Sequence, residues 1–155
     1  MERTCTVYMT IRSESLSPSE ISNMLGMTPT YSAVKGQPSP IFIAESQYKG
    51  PIAKLHHWVY ALPSVEWNST EWQLVDLYST EKQLNDLYEI FGEHSATLKT
   101  ISALEDIWIE IDITWRVDRV NGNEEEFVRD GLTLDKSILA WIVEIGARLD
   151  ICMSG

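Results

Sequence analysis

The sequence predicts an α+β fold: an antiparallel or mixed sheet with helices packed on one face, either ferredoxin-like or a pseudo-duplicated α/β sandwich. Three observations carry that expectation. Residues Ile107 to Val117 alternate apolar and polar without a break, which is the period of a strand with one core face. Each end of the chain carries a helical pattern that stops at a glycine after an aliphatic residue, Leu25-Gly26 and Ile145-Gly146. The chain has 155 residues, 44% hydrophobic and 23% charged, enough to bury a real core in a single domain over 1–155.

From the N-terminus, Cys5, Val7, Met9 and Ile11 share one side of an alternating segment and Thr4, Thr6, Tyr8 and Thr10 share the other, so Cys5 to Ile11 is a strand. Ser17-Pro18-Ser19-Glu20 is a helix start: Ser17 caps, Pro18 suits the first helical position, and Glu20 closes a capping box. Ile21, Met24 and Leu25 give that helix its apolar stripe, and Gly26 ends it in the left-handed conformation. Residues 28–40 contain Thr28-Pro29-Thr30, Lys35-Gly36, Pro38 and Pro40 and read as an irregular exposed loop, followed by a short edge strand at Ile41 to Ile43.

Leu55 to Leu62 is the next strand, closed by Pro63-Ser64, and residues 66–78 fit both a strand and a helical turn. Thr80-Glu81-Lys82-Gln83 has the form of a second capping box, opening a helix with Leu84, Leu87, Tyr88 and Phe91 on its inner face. Gly92 breaks or kinks it before a continuation through Leu98, Ile101 and Leu104. After the strand at 107–117, Asn121-Gly122-Asn123 signals a tight turn with Glu125 to Arg129 returning antiparallel. Thr133 or Asp135 starts a last helix carrying Ile138, Leu139, Ile142 and Ile145, Gly146 stops it, and Ala147 to Cys152 is a closing strand. The order is β-α-β-β-α-β-β-α-β.

The quoted blocks resemble a bacterial family known as domain of unknown function 4279. The strand at Thr6 to Ile11, Ser17-Pro18-Ser19-Glu20-Ile21 with Leu25-Gly26, Thr28-Pro29-Thr30 and Lys35-Gly36 look like its opening. Trp58, the leucine-spaced central helix and Ile145-Gly146 before Leu149-Asp150-Ile151 look like its later blocks. The resemblance spans residues 4 to 152; the segments 36–55 and 64–78 match it poorly. It implies a compact bacterial α+β domain and assigns no reaction, catalytic residue or cofactor.

Charge narrows the function classes. The net charge is −11 with a pI near 4.6, which opposes nonspecific nucleic-acid binding and adhesion to anionic lipid. Residues 1–65 carry net +1, so the whole excess, net −12, follows position 65. No stretch approaches the ~20 apolar residues of a membrane span, and the N-terminus lacks a secretory apolar run, so a cytoplasmic protein is expected. Cys5 and Cys152 fit no zinc or CxxC spacing and read as two reduced, half-buried thiols.

Several clusters invite a chemical reading. His56-His57 point to opposite faces of a strand and His94 is far away, so no metal site is expected there. Glu110 and Asp112 share a strand face with Cβ atoms roughly 6.5–7 Å apart, a spacing compatible with a glycosidase carboxylate pair or, with Asp118, a hard cation. The stronger expectation is a solvated acidic face balanced by Arg116. Lys35-Gly36 beside Thr28 and Thr30 reads as a small anion loop or, preferentially, as a turn that needs glycine. Of six tryptophans most should be core, whereas Trp67 and Trp72 flank Asn68-Ser69-Thr70 among Glu66, Glu71 and Asp76 and fit an interaction surface and plain packing equally.

The sequence therefore predicts a noncatalytic interaction module without cofactor or metal. Its expected partner-binding surface comprises Trp67, Glu71, Trp72, Asp76, Trp108, Glu110 and Asp112, and charge complementarity calls for a basic protein partner. An immunity or antitoxin-like protein is the concrete version. The alternative is a small-ligand binder or hydrolase with a site near Lys35, His57, Glu110 and Asp112.

Overall fold

The computed structural model describes residues 2–39, 50–68, 72–117 and 134–154. Strands are β1 (Glu2–Ser13), β2 (Tyr31–Ala33), β3 (His56–Ala61), β4 (Val65–Asn68), β5 (Ile107–Val117) and β6 (Ala147–Ser154). Helices are α1 (Pro18–Leu25), α2 (Trp72–Phe91), α3 (Ser95–Ser102) and α4 (Lys136–Glu144), with a 3₁₀ turn at Gly92–His94 between α2 and α3.

The sheet is mixed, in the order β2-β3-β1-β5-β6, with β4 also on β1. β1 is its spine. It runs antiparallel to β5 from Arg3↔Val117 to Ser13↔Ile107, and antiparallel to β3 and β4, which divide its other edge between them. Proline lacks the N–H a ladder needs, and Pro63 sits in the short gap where β3 gives way to β4. β6 lies parallel to β5 in the register Glu110↔Arg148 and Asp112↔Asp150. A parallel neighbour requires a crossover, and α4 lies in the connection that supplies it.

The four described helices bury their stripes on one sheet face. Val7, Met9 and Ile11 of β1 and Ile107, Ile109, Ile111 and Ile113 of β5 meet Ile21 and Leu25, Leu84, Leu87 and Phe91, Leu98 and Ile101, and Ile138, Trp141 and Ile142. Three indole N–H groups would be stranded in that layer without partners. Each donates to a helix hydroxyl: Trp58 to Ser22 at 2.9 Å, Trp115 to Thr80 at 3.2 Å, and Trp141 to Ser95 at 3.1 Å.

Most local signals are realised. Ser17 and Glu20 form the capping box, Asp135 caps α4, and Gly26 and Gly146 take φ of 65° and 67°. Gly92 marks the break between α2 and α3. Residues 66–78 resolve into both readings, β4 and the start of α2.

Three expectations are corrected. Tyr31–Ala33 is an edge strand inside the segment expected to be an irregular loop, because β3 offers it a free edge. Thr80 is no cap: α2 starts at Trp72, and Thr80 and Gln83 turn inward, the hydroxyl to Trp115 and Cys5 and the amide to the Cys5 carbonyl. The thiols are not both half-buried, since Cys5 is buried under α2 and Cys152 is exposed on β6. The expected strands at Ile41 to Ile43 and Glu125 to Arg129 lie outside the described residues. No helix among the described residues is long and apolar enough to cross a membrane.

Candidate functional site on the polar sheet face

Because side chains alternate along a strand, the residues opposite the core form a second face. β1 contributes Tyr8, Thr10 and Arg12, β5 contributes Trp108, Glu110 and Asp112, and β6 contributes Arg148 and Asp150. The described helices pack their buried residues against the opposite, apolar face. Directly opposed pairs are Tyr8↔Asp112, Thr10↔Glu110 and Arg12↔Trp108, while the hydrogen bonds run diagonally.

Glu110 is the hub. Its Oε2 accepts from Arg12 Nη1 and, at 3.2 Å, from Arg148 Nη2, so guanidinium groups from both neighbouring strands converge on one oxygen. Glu110 is 3% exposed. Burial alone would raise its pKa, but the Arg12 charge and hydrogen bond, then those of Arg148, outweigh burial and hold it below the usual carboxylate range. Asp112, 7% exposed, accepts from the Thr10 hydroxyl at 3.1 Å. Burial, then the neighbouring Glu110 charge, pushes it up to about 6. Two carboxyls on one face are thus driven apart in proton affinity, one ionised and one able to hold a proton near neutrality.

The expectation of a solvated acidic face is therefore overturned for this pair. Glu110 and Asp112 are buried, and charge balance comes from Arg12 and Arg148. Arg148 was invisible to sequence reasoning because its position depends on the parallel register of β6. The predicted strand at Ala147 to Cys152 was the available signal, since its polar residues Arg148 and Asp150 alternate in step with Glu110 and Asp112.

Carboxylate oxygens of Glu110, Asp112 and Asp150 lie within 4.8 Å of one another, and three hard oxygens are the donor type a divalent cation takes. Two guanidinium groups already occupy Glu110, however, and their charges oppose a cation. Asp118, the third ligand suggested by sequence, lies outside the described residues.

A groove of about 420 Å³ opens at one end of this face, lined by Arg12, Leu55, Trp108, Glu110 and Arg148 with the backbone turn at Gly146. Trp108 is 50% exposed in its wall. Of the remaining predicted residues, His57 pairs in register with Arg12, and its pKa is lowered by burial, then by the Arg12 charge. His56 accepts the Lys35 backbone N–H through Nδ1, and the Gly36 N–H goes to the Ala53 carbonyl, so these amides do not cradle an anion. Lys35, His57 and Asp112 do not line the groove. Trp67 belongs to β4 and Trp72 and Asp76 to α2; their side chains, and Glu71 entirely, lie outside the described residues.

The family described as domain of unknown function (DUF4279) matches residues 3–155. The chain belongs to the DUF4279 family. No curated protein and no solved structure matches it. The Glu110-centred network and the Trp108 groove are therefore features read from the geometry of this DUF4279 chain alone.

Proposed function

We propose that this chain is a noncatalytic binding module that recognises a protein partner through the sheet face opposite its described helices. The supporting observation is Trp108: a half-exposed indole on a central strand, directly opposite Arg12 and in a groove shared with Arg148. Large aromatics and arginines on a rigid surface are the usual anchors of interfaces. The surrounding polar residues are already tied into their own network, so the indole is the group on this face with most to gain from being covered.

The net charge of −11 favours a basic partner at long range, mainly through association rate and specificity. An immunity or antitoxin-like role is the concrete form of this reading. Photo-crosslinking from position 108 in cells, compared with position 143 on the exposed side of α4, tests it. A discrete adduct from 108 that is missing from 143 is the expected result. Adducts from 143 alone would place recognition on the helical face and defeat the proposal.

A further inference from the structure

The groove beside Trp108 brings two arginines together in a molecule of net charge −11. Arg12 and Arg148 line it, and Glu110 is the one acidic side chain among its described lining residues, while Asp112 and Asp150, whose carboxylate oxygens come within 4.8 Å of Glu110's, do not line it. Both guanidinium groups are directed at the same Glu110 oxygen. A guanidinium has five N–H donors in a planar fork, and each of these engages Glu110 through a single nitrogen, which leaves an unused edge on each. Those edges are reachable: the Arg148 side chain is 74% exposed and that of Arg12 34%.

We propose that this groove receives an acidic side chain of the partner protein, its carboxylate held by Arg12 and Arg148 and an adjacent apolar residue lying against Trp108. The inference rests on the binding-face reading above and names the chemistry of what docks there. Planar guanidinium forks match a carboxylate in two parallel hydrogen bonds, which a point charge cannot do. Glu110 fixes the forks before binding, so little ordering remains to be done. A lysine or arginine from the partner is disfavoured in the same place, because it would face two cations.

The reverse holds further along the face. Asp150 follows Arg148 by two residues on β6, roughly 6.5–7 Å away, and is exposed. A second acid there would meet Asp150, whereas a basic residue would pair with it. A segment with one acid beside an apolar residue, and basic residues around it, satisfies both the groove and the acidic remainder of the chain.

Two capped peptides test this, acetyl-Gly-Leu-Asp-Leu-Gly-amide and its lysine counterpart, titrated while the indole N–H resonances are followed by NMR, with Trp108 assigned by Trp108→Phe. The aspartate peptide should shift the Trp108 signal and leave the buried Trp58 and Trp141 signals in place. Its affinity should fall at least ~10-fold in Arg148→Gln and also drop in Arg148→Lys, which keeps the charge but loses the fork. Equal response to the lysine peptide, or aspartate-peptide shifts indifferent to Arg148→Gln, would overturn the inference. Arg148 is exposed enough for the variant to fold, and its melting temperature checks that. If neither peptide moves Trp108 while position 108 still crosslinks a partner, the carboxylate assignment fails and the binding face survives; if the crosslink fails as well, both fall.

Discussion

Asp112→Asn should make the protein more stable near neutral pH, and the gain should vanish in acid. Asp112 is an acid whose folded pKa, about 6, lies above its ordinary 3.8. The fold therefore favours the protonated carboxyl. That contribution is complete below the unfolded value and is lost as pH rises through the folded one, so the window is about pH 4 to 6. At 1.36 kcal/mol per pH unit the loss amounts to at most about 3 kcal/mol. Asparagine has the same shape, keeps an oxygen to accept the Thr10 hydroxyl, and never ionises beside Glu110. Urea denaturation of both proteins from pH 4 to 8 reads the difference directly. The curves should meet near pH 4 and separate by about 1–3 kcal/mol above pH 6.5, the variant being the more stable. The opposing window of Glu110, whose folded pKa is lowered, begins only below its ordinary 4.5 and does not mask this one. Parallel stability curves, or a variant less stable at pH 7.5, would refute the reasoning that burial and Glu110 hold a proton on Asp112.

Glu110→Gln should cost about 1–3 kcal/mol by chemical denaturation, because Arg12 loses its partner in a partly buried position, while the exposed Arg148 adds little. The same change should lower the Asp112 pKa, seen as a weaker pH dependence of stability. Gly146→Ala should cost roughly 1–3 kcal/mol: the backbone sits at φ 67° and the new Cβ would lie 2.7 Å from Ser102 Oγ. Ser102→Gly should recover the steric part of that loss in thermal melts while leaving the backbone strain. Ser17→Ala should remove the capping box and cost about 1 kcal/mol, measured by urea midpoint, with no effect at the Trp108 groove.

Where a signal is local, the sequence and the structure agree. The unbroken alternation of Ile107 to Val117 is β5, Ser17 with Glu20 caps α1, and Gly146 ends α4 in the left-handed conformation. Thr80 shows the limit of such motifs. A capping box means a helix start only if the preceding backbone is not helical, and here α2 already runs, leaving the hydroxyl for Trp115 and Cys5. β2 was missed for a related reason: three residues carry no periodicity, and their strand character comes from the edge that β3 presents.

The candidate site was half legible. Glu110, Asp112 and Trp108 could be placed on one face from their alternation alone. Their environment could not, because burial and charge state depend on Arg12 and Thr10 across an antiparallel register and on Arg148 across a parallel one. Those contacts turn two apparent surface acids into a buried network with opposite pKa shifts, and they bring two arginines into one groove beside Trp108. Net charge by segment locates the acidity after position 65 but cannot show that Arg12 and Arg148, from opposite ends of the chain, meet at Glu110.

The most direct test of the central claim is the affinity of the crosslinked partner for purified variants altered on the two faces. If the Trp108 face is the recognition surface, Trp108→Ala should weaken binding by about 30-fold or more, the scale of an interface anchor, and Val143→Ser should leave it within about twofold of the parent. Full affinity in Trp108→Ala, with loss confined to Val143→Ser, would contradict the account.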